Sequence, residues 1–120
     1  MAIEGEGCEV DPVDERCVQS ISIPYKNELD YLFKPITLGY ETSQECTITN
    51  PPAVPISVET FAVEIFRVYC TDYLSVNGVL YCSTEGPEGI VPDGSPIKWS
   101  SDRAGIAQGW KICFPRVILE

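Results

Sequence analysis

The strongest constraint on the fold of this chain is the hairpin signal within residues 70–82. Asn77-Gly78 is a pair of residues that tolerate positive φ angles, and it separates two short runs of β-prone residues. Before the turn, Leu74 and Val76 alternate with their neighbours, as a half-buried strand requires. Residues 79–81 supply the return strand. The stretch therefore predicts a tight β-hairpin.

A cysteine stands at each end of this hairpin. A strict two-residue turn places Cys82 opposite Tyr73 rather than opposite Cys70. We expect the two cysteines to form a disulfide, so the chain must bend near Thr71 and Asp72 for the sulfurs to meet. Asp72 would then lie at a corner beside a crosslink, which is a first indication of function.

The cysteine count indicates the compartment. The chain has six cysteines and no histidine, and no two cysteines have CxxC spacing. An even number of cysteines predicts three disulfides and therefore a secreted or extracellular protein. Structural zinc normally needs closely spaced cysteine and histidine ligands, so the sequence argues against zinc.

The charge balance restricts the partners. The formal net charge is −10, whereas binding to nucleic acid or to an anionic membrane surface needs basic patches. The same charge is compatible with divalent cations and basic partners. No apolar run is long enough to predict membrane insertion.

The pattern of short apolar runs predicts an all-β domain. Ile56 and Val58 share one parity whereas Phe61 and Val63 share the other, so a bulge or bend is expected near Thr60. About eight such strands separated by turns indicate a two-sheet sandwich. Residues 25–34 are compatible with either a helical turn or an irregular loop.

Trp110, Ile112 and Phe114 form the last clear inward face, and Cys113 points the other way. The chain therefore divides into an N-terminal arm (residues 1–7), one domain (residues 8–114) and a C-terminal tail strand (residues 115–120).

An ordered set of motifs resembles the CUB domain over about residues 8–114. The set consists of Cys46-Thr-Ile-Thr, Ile56-x-Val58-x-x-Phe61, Cys70-x-Asp72-Tyr73-Leu74-x-Val76, Tyr81-Cys82, Ile97-x-Trp99-x-Ser101-Asp102 and Gly109-Trp110. The resemblance implies a jelly-roll-like sandwich of two antiparallel sheets that serves extracellular proteins as a non-catalytic binding module. The chain departs from the family in having six cysteines instead of the usual four.

The resemblance also implies a disulfide pattern. It makes Cys70–Cys82 one bridge and joins Cys46 to an early cysteine, which we take to be Cys8. The remaining bridge would be Cys17–Cys113. The alternative is Cys17–Cys46 with Cys8–Cys113, and the sequence leaves both open.

Many CUB domains bind calcium, and the resemblance carries the ligand positions onto Glu64, Asp72 and Asp102. Three carboxylates that meet at one end of a sandwich repel one another unless a cation joins them, and calcium takes six to eight oxygen ligands. The family often has Ser and Asn after the last aspartate, where this chain has Arg103-Ala-Gly. The sequence leaves two interpretations open: a calcium site at this position, or three acids that form hydrogen bonds within turns or stay solvated.

The sequence favours binding over catalysis. Without histidine, catalytic triads and histidine bases are excluded, and every cysteine has a partner in the expected bridges. We therefore expect no enzyme but a recognition module for an extracellular protein or glycan. Its contact residues would be Tyr69, Tyr73 and Arg103, beside the three acids.

The alternative is a structural subunit that self-associates into an extracellular fibre or matrix. Its motivation is the apolar tail Val117-Ile-Leu119 and the arm Met1–Gly7, which the sequence leaves free on opposite sides of the core. A tail strand could extend the sheet of a neighbouring copy, and contacts that do not close build filaments.

Overall fold

The computed structural model describes residues 1–21, 44–63, 70–101 and 109–115, and within these ranges the chain forms strands and no helix. Residues 25–34, for which the sequence allows a helical turn or an irregular loop, lie outside the described ranges. The strands are β1 (Ala2–Glu4), β2 (Cys8–Val10), β3 (Cys17–Ser20), β4 (Glu45–Thr49), β5 (Ser57–Ala62), β6 (Tyr73–Val76), β7 (Val79–Tyr81), β8 (Ile97–Ser100) and β9 (Gly109–Cys113).

The strands form two antiparallel sheets. Sheet A has the order β1-β4-β8-β6-β7, and sheet B has the order β2-β3-β9-β5. This arrangement confirms the predicted all-β fold with two antiparallel sheets, and a sandwich is consistent with it. The jelly-roll connectivity stays a prediction.

The predicted hairpin joins β6 to β7. Asn77 and Gly78 have φ angles of 54° and 79°, the left-handed values that a tight hairpin turn needs. Val76 pairs with Val79 on either side of this turn. The chain bends at residues 71–72, and Cys70 and Cys82 form a disulfide. The local sequence signal was therefore sufficient for this element.

The core lies between the sheets and follows the alternation of the strands. Trp99 and Leu74 point inward from sheet A, and Trp110 and Ile112 point inward from sheet B. All four are at most 2% exposed. The two tryptophan rings meet with centroids 5.8 Å apart and an interplanar angle of 65°, an edge-to-face contact that spans the two sheets.

The expected bulge is present in β5. Its register with β9 shifts between Val58 and Thr60, and Phe61 then pairs with Trp110. The shift returns the apolar side chains to the core, because Phe61 and Val63 are buried although they have the opposite parity to Ile56.

The N-terminal segment is not free. Residues 2–4, assigned from sequence to an arm, form β1 and pair with residues 47–49 of β4. Ile3 packs against the core from this edge position. The expectation of a free arm was therefore wrong, because backbone pairing with a neighbouring strand holds a segment that has no strong local strand signal. The tail beyond Pro115 lies outside the described residues.

Three disulfides crosslink the chain, and two of them join strands that are distant in sequence. Cys8–Cys46 links β2 in sheet B to β4 in sheet A. Cys17–Cys113 links directly paired residues of β3 and β9. With Cys70–Cys82, these are the pairs implied by the family resemblance, and all six cysteines are bridged. Three disulfides in so small a domain fit an extracellular location.

Candidate functional site

The strand ends that flank the predicted site lie at one end of the sandwich, and we call this end the rim. Its described residues are Gln44, Val63, Cys70, Thr71, Asp72, Cys82, Ser83, Ser101 and Gly109. Sheet B reaches the rim through the pair Ala62–Gly109, and sheet A reaches it through the pair Tyr73–Ser100. The Val63 N–H donates to the Ser83 carbonyl at 2.8 Å, next to the Cys70–Cys82 bridge.

Asp72 is the buried acid among the described rim residues. It has no solvent exposure, although it lies one residue before β6 at the bend beside the disulfide. Burying a carboxylate is costly unless hydrogen bonds, an opposite charge or a metal ion compensate for the lost water. A carboxylate fixed at this depth is therefore placed for a structural or ligand-holding role.

Thr71 adds an oxygen atom to this corner. Its Oγ1 is buried and has no hydrogen-bond partner among the residues that the structure describes. A buried hydroxyl normally finds a partner, so an unsatisfied one beside a buried carboxylate needs an explanation. Oxygen donors of this kind suit a hard cation such as calcium.

Hydrogen bonds to Gln44 hold the end of β8 at the rim. The Ser101 Oγ accepts a hydrogen bond of 2.7 Å from the Gln44 N–H, and the Ser101 N–H donates to the Gln44 carbonyl at 2.9 Å. Ser101 is only 6% exposed. These contacts fix the chain immediately before Asp102.

The structure places two of the predicted non-cysteine site residues. Asp72 is buried at the rim, and Tyr73 is half-buried at the start of β6, paired with Ser100. The other four lie outside the described residues: Glu64, Tyr69, Asp102 and Arg103. Because Glu64 and Asp102 are among these four, calcium binding stays a prediction. Their described neighbours in the chain, Val63 and Ser101, are both rim residues.

Sequence reasoning missed an ion network on the outer face of sheet B. The Lys111 ammonium lies 2.6 Å from Asp11 Oδ2 and 3.1 Å from Glu59 Oε2. The hydrogen bond from Lys111 holds the pKa of Asp11 below its usual range, and the two carboxylates raise the pKa of Lys111, Asp11 more than Glu59. The alternation of β9 indicates that Lys111 faces outward, but only the fold brings the acids to it.

Glu59 also lies beside the sulfur atoms of Cys17 and Cys113. Because both sulfurs belong to one disulfide, neither is a thiolate that could bind a metal ion. This cluster is therefore structural.

Comparison with protein-family models, curated proteins and solved structures gave no significant match. In the described ranges, no helix is long and apolar enough to cross a membrane.

Proposed function

We propose that this chain is a non-catalytic extracellular recognition module, and that its rim, braced by calcium, binds a protein or glycan partner. The observation that carries the proposal is the complete burial of Asp72 beside the Cys70–Cys82 bridge. The three disulfides support the extracellular setting.

Calcium would be held by Asp72 together with Glu64 and Asp102, the acids next to the rim residues Val63 and Ser101. The unsatisfied Thr71 Oγ1 supports an oxygen-ligated cation at this corner. The ion would hold the rim segments in one arrangement, which lowers the entropy lost when a partner binds. Tyr73 and the residues Tyr69 and Arg103 would contact that partner.

The calcium part is tested by thermal unfolding in calcium and in chelator. Calcium about 100-fold above its Kd should stabilise the native state by about 2.7 kcal/mol. Asp72→Asn should abolish this difference. Asp14→Asn is the matched control, because Asp14 is a half-buried acid of the β2–β3 connection and should leave the calcium response intact. An unchanged unfolding midpoint in millimolar calcium would refute the calcium site.

The recognition part is tested on an array of glycans and extracellular proteins, with both variants in calcium and in chelator. Binding that requires calcium and is lost only in Asp72→Asn supports the proposal. Binding that is equal in both variants would place the contact surface elsewhere on the molecule.

A further inference from the structure

The four edges of the two sheets are protected unequally. β5, an edge of sheet B, is flanked by residues 83–90. Ile56, directly before β5, exchanges backbone hydrogen bonds with Gly89 and Ile90, and within β5 the Val58 N–H donates to the Glu88 carboxylate. The edge strands β1 and β2 carry Glu4 and Glu9, and charged residues discourage pairing with another chain.

Within the part of the chain that the structure describes, the remaining edge, β7, has neither protection. It consists of Val79, Leu80 and Tyr81, so it has no charge, and no described strand pairs with its outer side. Val79 and Leu80 are 51% and 50% exposed. Because Val76 and Val79 flank the two-residue turn as a hydrogen-bonded pair, Leu80 directs its N–H and C=O away from β6.

β7 is also held firmly at both ends. At the turn, the Asn77 side-chain amide donates to the Val91 carbonyl at 2.9 Å and its oxygen accepts from the Asp93 N–H at 2.9 Å. At the other end, Cys82 is bridged to Cys70. A strand that is already fixed loses little entropy when a second strand pairs with it.

The charges near β7 identify the kind of partner. Asp93 is bonded to the turn residue Asn77, and the Glu85 N–H donates to the Cys82 carbonyl, so an exposed acid lies near each end of the strand. A second copy is a poor partner, because both copies carry a charge of −10 and a three-residue edge is far smaller than a stable dimer interface.

We propose that β7 is a docking edge for an extended segment of another protein, a segment with apolar residues at its centre and lysine or arginine at its ends. The segment joins sheet A as an additional strand, antiparallel or parallel to β7, and forms hydrogen bonds with the Leu80 N–H and C=O. Its basic ends lie near Asp93 and Glu85. This inference is separate from the proposed function, because it uses another surface and needs no cation.

The test uses the full chain and the synthetic peptide Lys-Lys-Thr-Val-Thr-Val-Thr-Val-Lys-Lys, with binding followed by NMR. The peptide should shift the amide signals of Val79 to Tyr81 and protect the Leu80 N–H from exchange. Leu80→Pro removes this N–H without removing a β6–β7 hydrogen bond, and it should weaken binding about tenfold. Leu80→Val keeps the N–H and is the matched control.

A second probe keeps the experiment decisive if Leu80→Pro fails to fold. The same peptide methylated on its central backbone nitrogens has no strand donors, and it should not bind the unchanged protein. Equal binding of both peptides, or no binding up to about 1 mM, would overturn the proposal. Dimerisation of the chain through β7 would also overturn it, because the occupant would then be a second copy.

Discussion

Trp99 and Trp110 lie in different sheets, and their rings meet edge to face at a centroid distance of 5.8 Å. Both are 2% exposed. The contact therefore ties sheet A to sheet B at the centre of the core, independently of the Cys8–Cys46 bridge.

This contact predicts coupling between the two tryptophans. Trp99→Leu and Trp110→Leu should each lower the free energy of unfolding by about 2–4 kcal/mol, because each empties part of the core. The double variant should lose less than the sum by about 0.5–1.5 kcal/mol, since the ring pair is already broken in either single variant. Urea unfolding followed by circular dichroism measures all four proteins. Strictly additive losses would show that the ring contact contributes nothing of its own.

The ion network of Lys111 predicts a pH dependence of stability. Asp11 has a lowered pKa in the native state, so its contribution is present at neutral pH and is lost as the pH falls through that lowered value. Lys111 has a raised pKa, so its contribution is lost as the pH rises through the raised value. The difference in the free energy of unfolding between the unmodified chain and Lys111→Met should therefore be constant near neutral pH. It should decrease below about pH 4 and above about pH 10.

Chemical denaturation across this pH range provides the measurement. Lys98→Met is the matched control, because Lys98 is an exposed strand lysine with no ion pair among the described residues. If the loss of unfolding free energy depends on pH in the same way for both variants, the effect comes from net charge alone.

The disulfides should contribute unequally to stability. Cys17 and Cys113 are separated by 96 positions, whereas Cys70 and Cys82 are separated by 12. Chain entropy predicts a loss of about 5 kcal/mol when the longer loop is opened and about 3 kcal/mol for the shorter one. Paired Cys→Ala variants of each bridge, unfolded in urea, would measure both losses. The reverse order would show that native packing near the hairpin outweighs loop entropy.

The side chain of Asn77 should matter more than its backbone conformation. Asn77→Gly keeps the left-handed turn but removes the hydrogen bonds to Val91 and Asp93, and we expect a loss of about 1–3 kcal/mol. Asn50→Gly is the matched control, because Asn50 has a φ of 50° and no side-chain hydrogen bond in the described chain. Thermal unfolding of both variants separates the two effects. Equal losses would assign the effect to backbone entropy.

The sequence predicted the elements that local signals determine. Asn77-Gly78 predicts a tight hairpin, and the parity change between Val58 and Phe61 predicts a bulge, so both features can be read from neighbouring residues in the sequence. The pairing of β1 with β4 could not be predicted from neighbouring residues, because residues 2–4 form a strand through hydrogen bonds to the distant strand β4. The contact between Lys111 and Asp11 likewise depends on the fold.

The candidate site was predictable to a smaller extent. The corner position of Asp72 followed from the geometry of the Cys70–Cys82 stretch, but its complete burial is a property of the packed rim. Thr71 was not predicted as a site residue, because nothing in the sequence shows that its hydroxyl is buried without a partner.

The position of β9 inside sheet B affects how the protein is made. β9 is the neighbour of both β3 and β5, yet it follows them in the chain by many residues. While the polypeptide is still emerging from the ribosome, β3 and β5 have no strand to join them, and Cys17 lacks its native partner Cys113. Sheet B can be completed only when synthesis has passed Cys113, so formation of the Cys17–Cys113 bridge is a late event in biosynthesis.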